Sequence, residues 1–520
     1  MVALGIAARL VRYWLAFPLF YDEYMVAENL LSRGFLGVLR PLDNFQVAPP
    51  LFMVLELAAV KIFGFSEWSL RLVPVISGGV ALLLFMHVAR RLLRGPSCAL
   101  AVGIMASAYY PMRHSAEIKP YATDLFAAAV LLALAVEWLC KPNQSRWLWA
   151  LTVTIPLAVA LSFTTVFVGG GISVIIIGEV VRRRSRSITL AAVAYHLAFA
   201  LGVVGLIAIS ASTQMHRWGP GMREYWADSF PPPLTQPLAF VNWIAMNASG
   251  AMFAYPVGGK AGASFATLAC FVVGVAVLLR HRRHALVVLL ATPFLLGFAA
   301  GALHLYPFGD NERLVQYLAP AICLTSGLGL AAIVARCPHS VRRPLFASLV
   351  IYFAALPCGG IIRDVTHPYK HRQDRDYQSF ARWFWNENRG AVERRAIPVL
   401  QNSAIYRRTK YSAYACYQSI YGRDADPGDC VAGDGNGMPS APREYVLYHT
   451  GDDTLDPQAF DAWLRQMESR YRLMGCTRYR IHSEVGPLHG PHDMHIYDVY
   501  RFDPNPRAAV AQQAPDTILR

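Results

Sequence analysis

Asp22 and Glu23 stand side by side in Tyr21-Asp22-Glu23-Tyr24, where a first apolar stretch of the chain ends. A carboxylate at such an exit can take a proton from a hydroxyl group that comes within hydrogen-bond reach. The same pair can also open a helix, with Asp22 as its cap and Glu23 complementing its dipole. Spacing alone leaves both roles open. Three later breaks between apolar stretches bring cations and aromatic rings: Arg113-His114-Ser115-Ala116-Glu117-Ile118-Lys119-Pro120-Tyr121, Tyr225-Trp226-Ala227-Asp228-Ser229-Phe230-Pro231-Pro232-Pro233, and His304-Leu305-Tyr306-Pro307-Phe308-Gly309-Asp310-Asn311-Glu312-Arg313. Arg113, Lys119 and Arg313 suit the oxygens of a phosphate, the arginines through two parallel N–H bonds. Their competing role is an ion pair with Glu117 or Glu312. His114, Glu117, Tyr121, Trp226 and Tyr306 are candidate substrate contacts, although tyrosine and tryptophan at such places also form the aromatic belt of a membrane interface.

The elements that must position these residues are read from composition and charge. Of 520 residues, 55% are hydrophobic and only 16% charged, against the roughly 25% charged residues of a soluble chain. Apolar stretches long enough to cross a bilayer core of about 30 Å recur up to residue 362. From Arg363 onward the chain turns polar, as in Lys370-His371-Arg372-Gln373-Asp374-Arg375-Asp376. The fold class expected is therefore mostly α, a polytopic membrane bundle over 1–362, followed by a soluble α/β domain over 363–520. Spans are expected near 2–20, 70–90, 97–112, 120–140, 147–165, 166–181, 188–211, 262–280, 284–303, 314–335 and 344–362, about eleven transmembrane helices.

The formal charge of +14 invites a nucleic-acid partner, but its placement argues against one. The basic residues gather in every second break, at Arg90-Arg91, Lys141, Arg182-Arg183-Arg184, Arg282-Arg283 and Arg342-Arg343. That alternation is the bias of cytoplasmic loops. It puts the N-terminus inside and the acid-bearing breaks and the whole tail outside. Merging 147–165 with 166–181, the pair that holds Gly169-Gly170-Gly171, would break the alternation. Arg9 and Arg12 are awkward within the first span and must either face the bundle or reach its surface, unless the true start lies upstream. No small-residue cleavage site follows, so this segment reads as an anchor.

Between the first two spans, Ala27, Leu30, Leu31, Phe35 and Val38 share one helical face, the pattern of a helix lying along the membrane. Ala48 to Gly64 forms a second such segment, and together the two would roof a cavity at the outer leaflet. In the tail, helical patterns cover 377–385 and 457–471, with strand-like runs at 396–400, 445–448 and 496–502. Six of the nine cysteines lie in or beside spans as small apolar fillers. Cys416 with Cys430 is the pair favoured for a disulfide in an exported tail, leaving Cys476 odd.

Together these stretches resemble the polytopic, family-C glycosyltransferases related to protein O-mannosyltransferases, lipid A aminoarabinose transferases and rhizobial galacturonosyltransferases. The resemblance rests on Tyr21-Asp22-Glu23, Ala48-Pro49-Pro50-Leu51, Phe63-Gly64-Phe65-Ser66-Glu67-Trp68-Ser69-Leu70-Arg71-Leu72, Lys119-Pro120-Tyr121-Ala122 and the Tyr306 to Arg313 loop, in that order. It spans residues 13 to about 320; the tail matches no family pattern. It implies an inverting transfer of a sugar from a polyprenyl-phosphate donor to a glycan, lipid or protein acceptor on the outer face of a bacterial inner membrane. Asp22 would then be the base with Glu23 beside it, and Lys119 and Arg313 would grip the donor phosphate. Lys119 stands where many relatives have Arg, which keeps the charge and loses the fork. No cofactor or metal is implied.

Other motifs read as bland. Asp374-Arg375-Asp376 and Asp424-Ala425-Asp426 fit the metal-binding pattern of nucleotide-sugar enzymes but sit in solvated, outward sequence. Gly433-Asp434-Gly435-Asn436-Gly437 lacks the strand-then-helix setting of a phosphate loop. His489, His492 and His495 fit a surface loop, and Asn247-Ala248-Ser249 is a sequon only in a eukaryotic secretory setting. The rival reading is a transporter or flippase of lipid-linked saccharide. Transporters carry broken helices, mid-membrane ionisable groups and repeats, whereas the charges here collect at loop ends. A third reading, an inactive scaffold, would tolerate loss of Asp22.

Overall fold

The computed structural model describes residues 1–44, 46–183, 185–211, 223–260, 262–385, 393–396, 416–422, 442–450, 457–482 and 494–504. The chain opens with α1 (Val2–Trp14), α2 (Tyr21–Ser32) and α3 (Pro50–Phe63). Then follow α4 (Leu72–Leu92), α5 (Pro96–Ser107), α6 (Tyr109–His114), α7 (Tyr121–Cys140), α8 (Arg146–Leu161), α9 (Thr165–Arg183) and α10 (Arg186–Leu206). After α11 (Pro237–Ser249) come α12 (Phe265–Arg280), α13 (His284–Ala302), α14 (Ala319–Arg336) and α15 (His339–Thr366). Each of the eleven expected spans contains a helix, although in the first, expected over 2–20, it covers only Val2–Trp14. Among the described residues seven helices, some lengthened by a flanking turn, are long and apolar enough to cross a membrane. α5, α8 and α12 are shorter apolar helices. α8 and α9 are separate, so the glycine-bearing pair does not merge.

The chain divides into two compact units. One holds Met1–Ala16, Gly34–Ile62 and Trp68–Pro368; the other holds Phe17–Arg33, Phe63–Glu67 and Tyr369–Arg520. α2, with the acid pair, thus groups with the tail.

In the first unit the awkward arginines of α1 face protein. Arg12 pairs with Asp364 of α15 at 2.9 Å, with both side chains buried. The Arg9 guanidinium donates to the Gly5 carbonyl at 2.8 Å. A charge so placed is tolerated in a bundle because its partner is buried with it.

α7 orders the ends of this bundle. At 20 residues it is about 30 Å long, at 1.5 Å rise per residue. At its C-terminal end Glu137 pairs with Arg91, from the end of α4, and with His87 at 2.9 Å. Just beyond, Asn143 accepts from Arg183, at the end of α9, at 2.7 Å. Three basic breaks therefore meet at one end of α7, as the charge alternation requires. Its N-terminal end carries Tyr121 and the candidate cations.

The apolar core runs along α4, α5, α7, α8, α9 and α14, through residues such as Leu82, Phe85, Leu131, Trp138, Ile155 and Ile322. α12 and α14 approach backbone to backbone, as small residues permit inside a membrane. A Cβ on Gly329 would stand 1.8 Å from the Cys270 carbonyl oxygen, and one on Gly274 2.0 Å from that of Thr325. Backbone cannot give way as a side-chain tip can. Gly329→Val is expected to cost about 1–3 kcal/mol of stability by overpacking, read as a lower thermal midpoint in detergent than that of the unchanged protein. An unchanged midpoint would show that the two helices do not pack at this distance.

In the second unit the tail adds α16 (Arg372–Phe384), β1 (Glu393–Ala396), a short helix at 416–421, β2 (Arg443–Thr450), α17 (Pro457–Glu468), β3 (Tyr471–His482) and β4 (Met494–Pro504). The sheet has the order β1-β2-β4-β3, with β1 parallel to β2 and the other pairs antiparallel. Its side chains alternate between two covering helices. Tyr500 and Phe502 meet Trp463 of α17, while Tyr497 stacks on Phe380 of α16 at 4.4 Å. β3 is a strand that the periodicity did not announce, because a bulge at Leu473/Gly475 interrupts its alternation. The helix expected to reach residue 471 stops at Glu468. Of the strand expected at 396–400, Ala396 ends β1 and residues 397–400 lie outside the described residues.

Cys416 is buried with a free thiol; its expected partner Cys430 lies outside the described residues, as do Asp424-Ala425-Asp426, Gly433 to Gly437, His489 and His492. Asp374-Arg375-Asp376 lies on α16 with Asp374 buried. Among the described residues no group of three or more histidine, cysteine or acidic side chains is placed to hold a metal.

Candidate functional site

The acid turn belongs to the second unit. Phe20 is extended (φ −87°, ψ 159°) and α2 begins at the next residue. Glu23 is buried, and its Oε2 accepts the Phe20 N–H at 2.9 Å. The helix-start role that the sequence offered to Asp22 thus falls to Glu23, whose carboxylate satisfies a backbone donor left over at the helix N-terminus. Asp22 is half-buried in the first turn.

The cations and rings belong to the first unit and converge where α6, α7 and the 304–313 loop meet. Glu117 bridges two neighbours, accepting from Arg113 Nε at 2.8 Å and lying 2.8 Å from His114 Nδ1. Arg113 is thus in the ion pair that was its competing reading. Burial opposes its charge, but Glu117, then Tyr109 and Glu312, hold its pKa above the ordinary arginine value. Burial pushes the His114 imidazole below its usual value, with Glu117 pulling the other way. Its faces meet Tyr121 at 5.0 Å and Tyr110 at 6.3 Å. Tyr110, which the sequence did not single out, also bonds Glu312.

Lys119 is buried, and its ammonium donates to Gln46 Oε1 at 2.7 Å. No local pattern pointed to Gln46, which lies 73 residues earlier in the chain. Arg313 lies between two rings, its guanidinium carbon 4.7 Å from the Trp226 centroid and 5.9 Å from that of Tyr121. Stacking of this kind fixes the plane of the fork. Asn311 Oδ1 accepts the Arg313 backbone N–H at 3.2 Å. Tyr306 donates from Oη to the Leu314 carbonyl at 3.0 Å, its ring lies 5.5 Å from Phe167, and burial raises its pKa well above the usual phenol range.

The turn before Arg313 is held from α11. Gly309 has φ 144° and Asp310 φ 54°, and a Cβ on Gly309 would stand 2.8 Å from both Asn247 and Trp243. Asn247 Oδ1 accepts the Asp310 N–H, so the sequon asparagine serves as a loop anchor. The 227–233 and 304–310 segments and α11 enclose a cavity of about 560 Å³, lined among others by Asp228, Asn242, Trp243, His304 and Asp310. Burial, then Asp228 and Glu312, raises the Asp310 carboxyl.

Of the residues selected from the sequence, Arg113, His114, Glu117, Tyr121, Trp226 and Arg313 form one chain of contacts, with Lys119 two residues from Tyr121. Tyr306 braces the loop that carries Arg313. Two cations and a set of rings at one end of a helix bundle can bind a phosphate and the apolar or saccharide groups attached to it.

Residues 47–209 match the family described as dolichyl-phosphate-mannose-protein mannosyltransferase. Among curated proteins none matches the sequence. The fold is similar to that of ArnT from Cupriavidus metallidurans bound to undecaprenyl phosphate, with TM-score 0.52 and 14% identity, over 96% of this chain and 97% of that one. The apo state of the same ArnT gives TM-score 0.50 and 13% identity over the same shares. The tail, which no motif placed, lies within that match. By fold and by the matched region, the chain is similar to the polytopic family-C glycosyltransferases, as its motifs implied.

Proposed function

We propose that this membrane protein transfers a sugar from a polyprenyl-phosphate donor to a hydroxyl of a glycan, lipid or protein, with inversion, on the outer face of a bacterial inner membrane. The observation that carries the reading is Arg313, stacked between Trp226 and Tyr121 at 4.7 and 5.9 Å, in a fold similar to that of an undecaprenyl-phosphate complex. Arg313 and Lys119 hold the donor phosphate, and Arg113, its charge balanced by Glu117, borders them. His114, Glu117, Tyr121, Tyr306 and Trp226 shape the donor site.

Asp22 takes the acceptor proton as the acceptor oxygen bonds the anomeric carbon. The bond from that carbon to the phosphate oxygen breaks, and its electron pair leaves on polyprenyl phosphate. Negative charge grows on the phosphate through this step, so cations held beside it stabilise the transition state more than the bound donor. Glu23 keeps Asp22 on a fixed turn. N-terminus inside and tail outside follow from the charge alternation.

The test is photocrosslinking of the protein in vesicles with a diazirine-bearing polyprenyl phosphate. Adducts are expected on the 113–121 and 304–313 segments, competed by unlabelled polyprenyl phosphate and lost in Arg313→Ala. Labelling confined to other segments, or insensitive to competition, would remove the donor site from this end of the bundle.

A further inference from the structure

We infer that the soluble tail is a positioning platform for the base turn, with Tyr417, Cys416 and Lys370 holding residues 19–24 so that Asp22 keeps a single orientation. This rests on the reading of Asp22 as the base.

The need for such a platform starts in the sequence. The residue at the helix-capping position of α2 is Phe20, which has no side-chain oxygen to bind the first N–H groups; serine, threonine, aspartate or asparagine is preferred there. Residues 17–20 are not helical, so their buried backbone groups must find partners elsewhere. Locally, only Glu23 answers this need, through the Phe20 N–H, and the N–H groups before it are left to other partners.

The tail supplies what is missing. The Leu19 N–H donates to Tyr417 Oη at 3.0 Å, with both residues buried. The Lys370 ammonium stands 3.3 Å from the Phe20 ring centroid, and the His371 ring 5.4 Å from it. The Cys416 thiol donates to the Tyr24 carbonyl at 3.7 Å. Contacts before, at and after the acid pair thus come from residues about 350 to 400 positions later in the chain.

These clamps are themselves braced. Tyr417 meets Tyr377 edge-on at 5.3 Å and stacks on Tyr421 at 5.7 Å. The Tyr421 hydroxyl and Gln378 Nε2, the latter at 2.9 Å, both donate to buried Glu67. Asp374, buried on α16, faces the turn: burial pushes its carboxyl up to about 7, with Lys370 lowering it and Glu23 raising it. Near neutral pH, then, the acid pair is not crowded by a further full negative charge. None of these groups is asked to touch substrate; they act through the backbone of residues 19–24.

The experiment uses the full chain in vesicles with a polyprenyl-phosphate sugar donor. Tyr417→Phe removes the acceptor of the Leu19 N–H. It is expected to lower kcat about 10-fold, below the ~10²-fold that a 1 Å misplacement can cost, with the donor KM within about twofold. Lys370→Met is expected to act in the same direction with folding intact, since Lys370 is only half-buried, and Lys370→Arg to restore kcat by keeping a cation over Phe20. Unchanged kcat in folded Tyr417→Phe and Lys370→Met would overturn the inference. So would a fall matched by a proportional rise in KM or by a lowered thermal midpoint. If Asp22→Asn itself leaves turnover intact, the reading of the base fails; if Asp22→Asn is inactive and the tail variants are not, only the platform fails.

Discussion

Asp22→Asn is expected to lower turnover by about 10²–10⁴-fold, the usual contribution of a positioned proton acceptor. Asparagine keeps the size and polarity of the side chain, so α2 and its first turn are retained and only the basicity is lost. Polyprenyl-phosphate binding is expected to persist, because the residues assigned to the phosphate lie elsewhere in the chain. The measurement is transfer of a labelled sugar by protein reconstituted in vesicles, read beside phosphate-lipid crosslinking. Glu23→Gln is the control: glutamine retains an oxygen for the Phe20 N–H that Glu23 accepts at 2.9 Å, and its turnover is expected to stay within a few-fold of that of the unchanged enzyme. Full activity in Asp22→Asn would favour the scaffold reading or a different base.

Arg313→Ala is expected to cost about 10²–10³ in kcat, the effect of deleting one donor aimed at developing charge. The donor phosphate is already anionic in the ground state, so part of the loss falls on donor binding. It gains charge as the glycosidic bond breaks, so kcat is expected to fall by more than affinity does. Arg313→Lys is expected to lie between, since lysine retains charge but not the planar fork that packs between Trp226 and Tyr121. Trp226→Ala is then expected to act in the same direction as Arg313→Lys, through a cation–π contact worth about 0.5–2 kcal/mol. Steady-state kinetics over a range of donor concentrations separates kcat from KM for each variant. A loss confined to KM would make Arg313 a ground-state binder only.

The elements were legible because membrane helices announce themselves locally. Runs of apolar residues set the helices expected as spans, and Arg91, Asn143 and Arg183, from three basic breaks, meet at one end of α7 as their alternation demands. The short stretches from Tyr21 to Arg313 carried the resemblance to a family whose fold this chain shares at only 14% identity. In the tail, α16 and α17 could be read from their helical patterns, and β2 and β4 from their alternation.

What the tertiary structure decided was the state of each charge and the company of each element. Arg113, Lys119 and Arg313 read alike as cations on acid-bearing breaks. Folding gives the first to Glu117, sets the second on Gln46 and slots the third between two rings. Arg12, awkward in isolation, is neutralised by Asp364 more than 350 positions away. The capping role offered to Asp22 went to Glu23, and α2 joined the tail through bonds such as Leu19 to Tyr417. The physical reason is the same in each case. Helix formation and membrane insertion depend on neighbours a few positions apart, which a linear pattern records, whereas ion pairs, ring stacking and buried hydrogen bonds depend on which distant segments the packed core brings within about 3–6 Å.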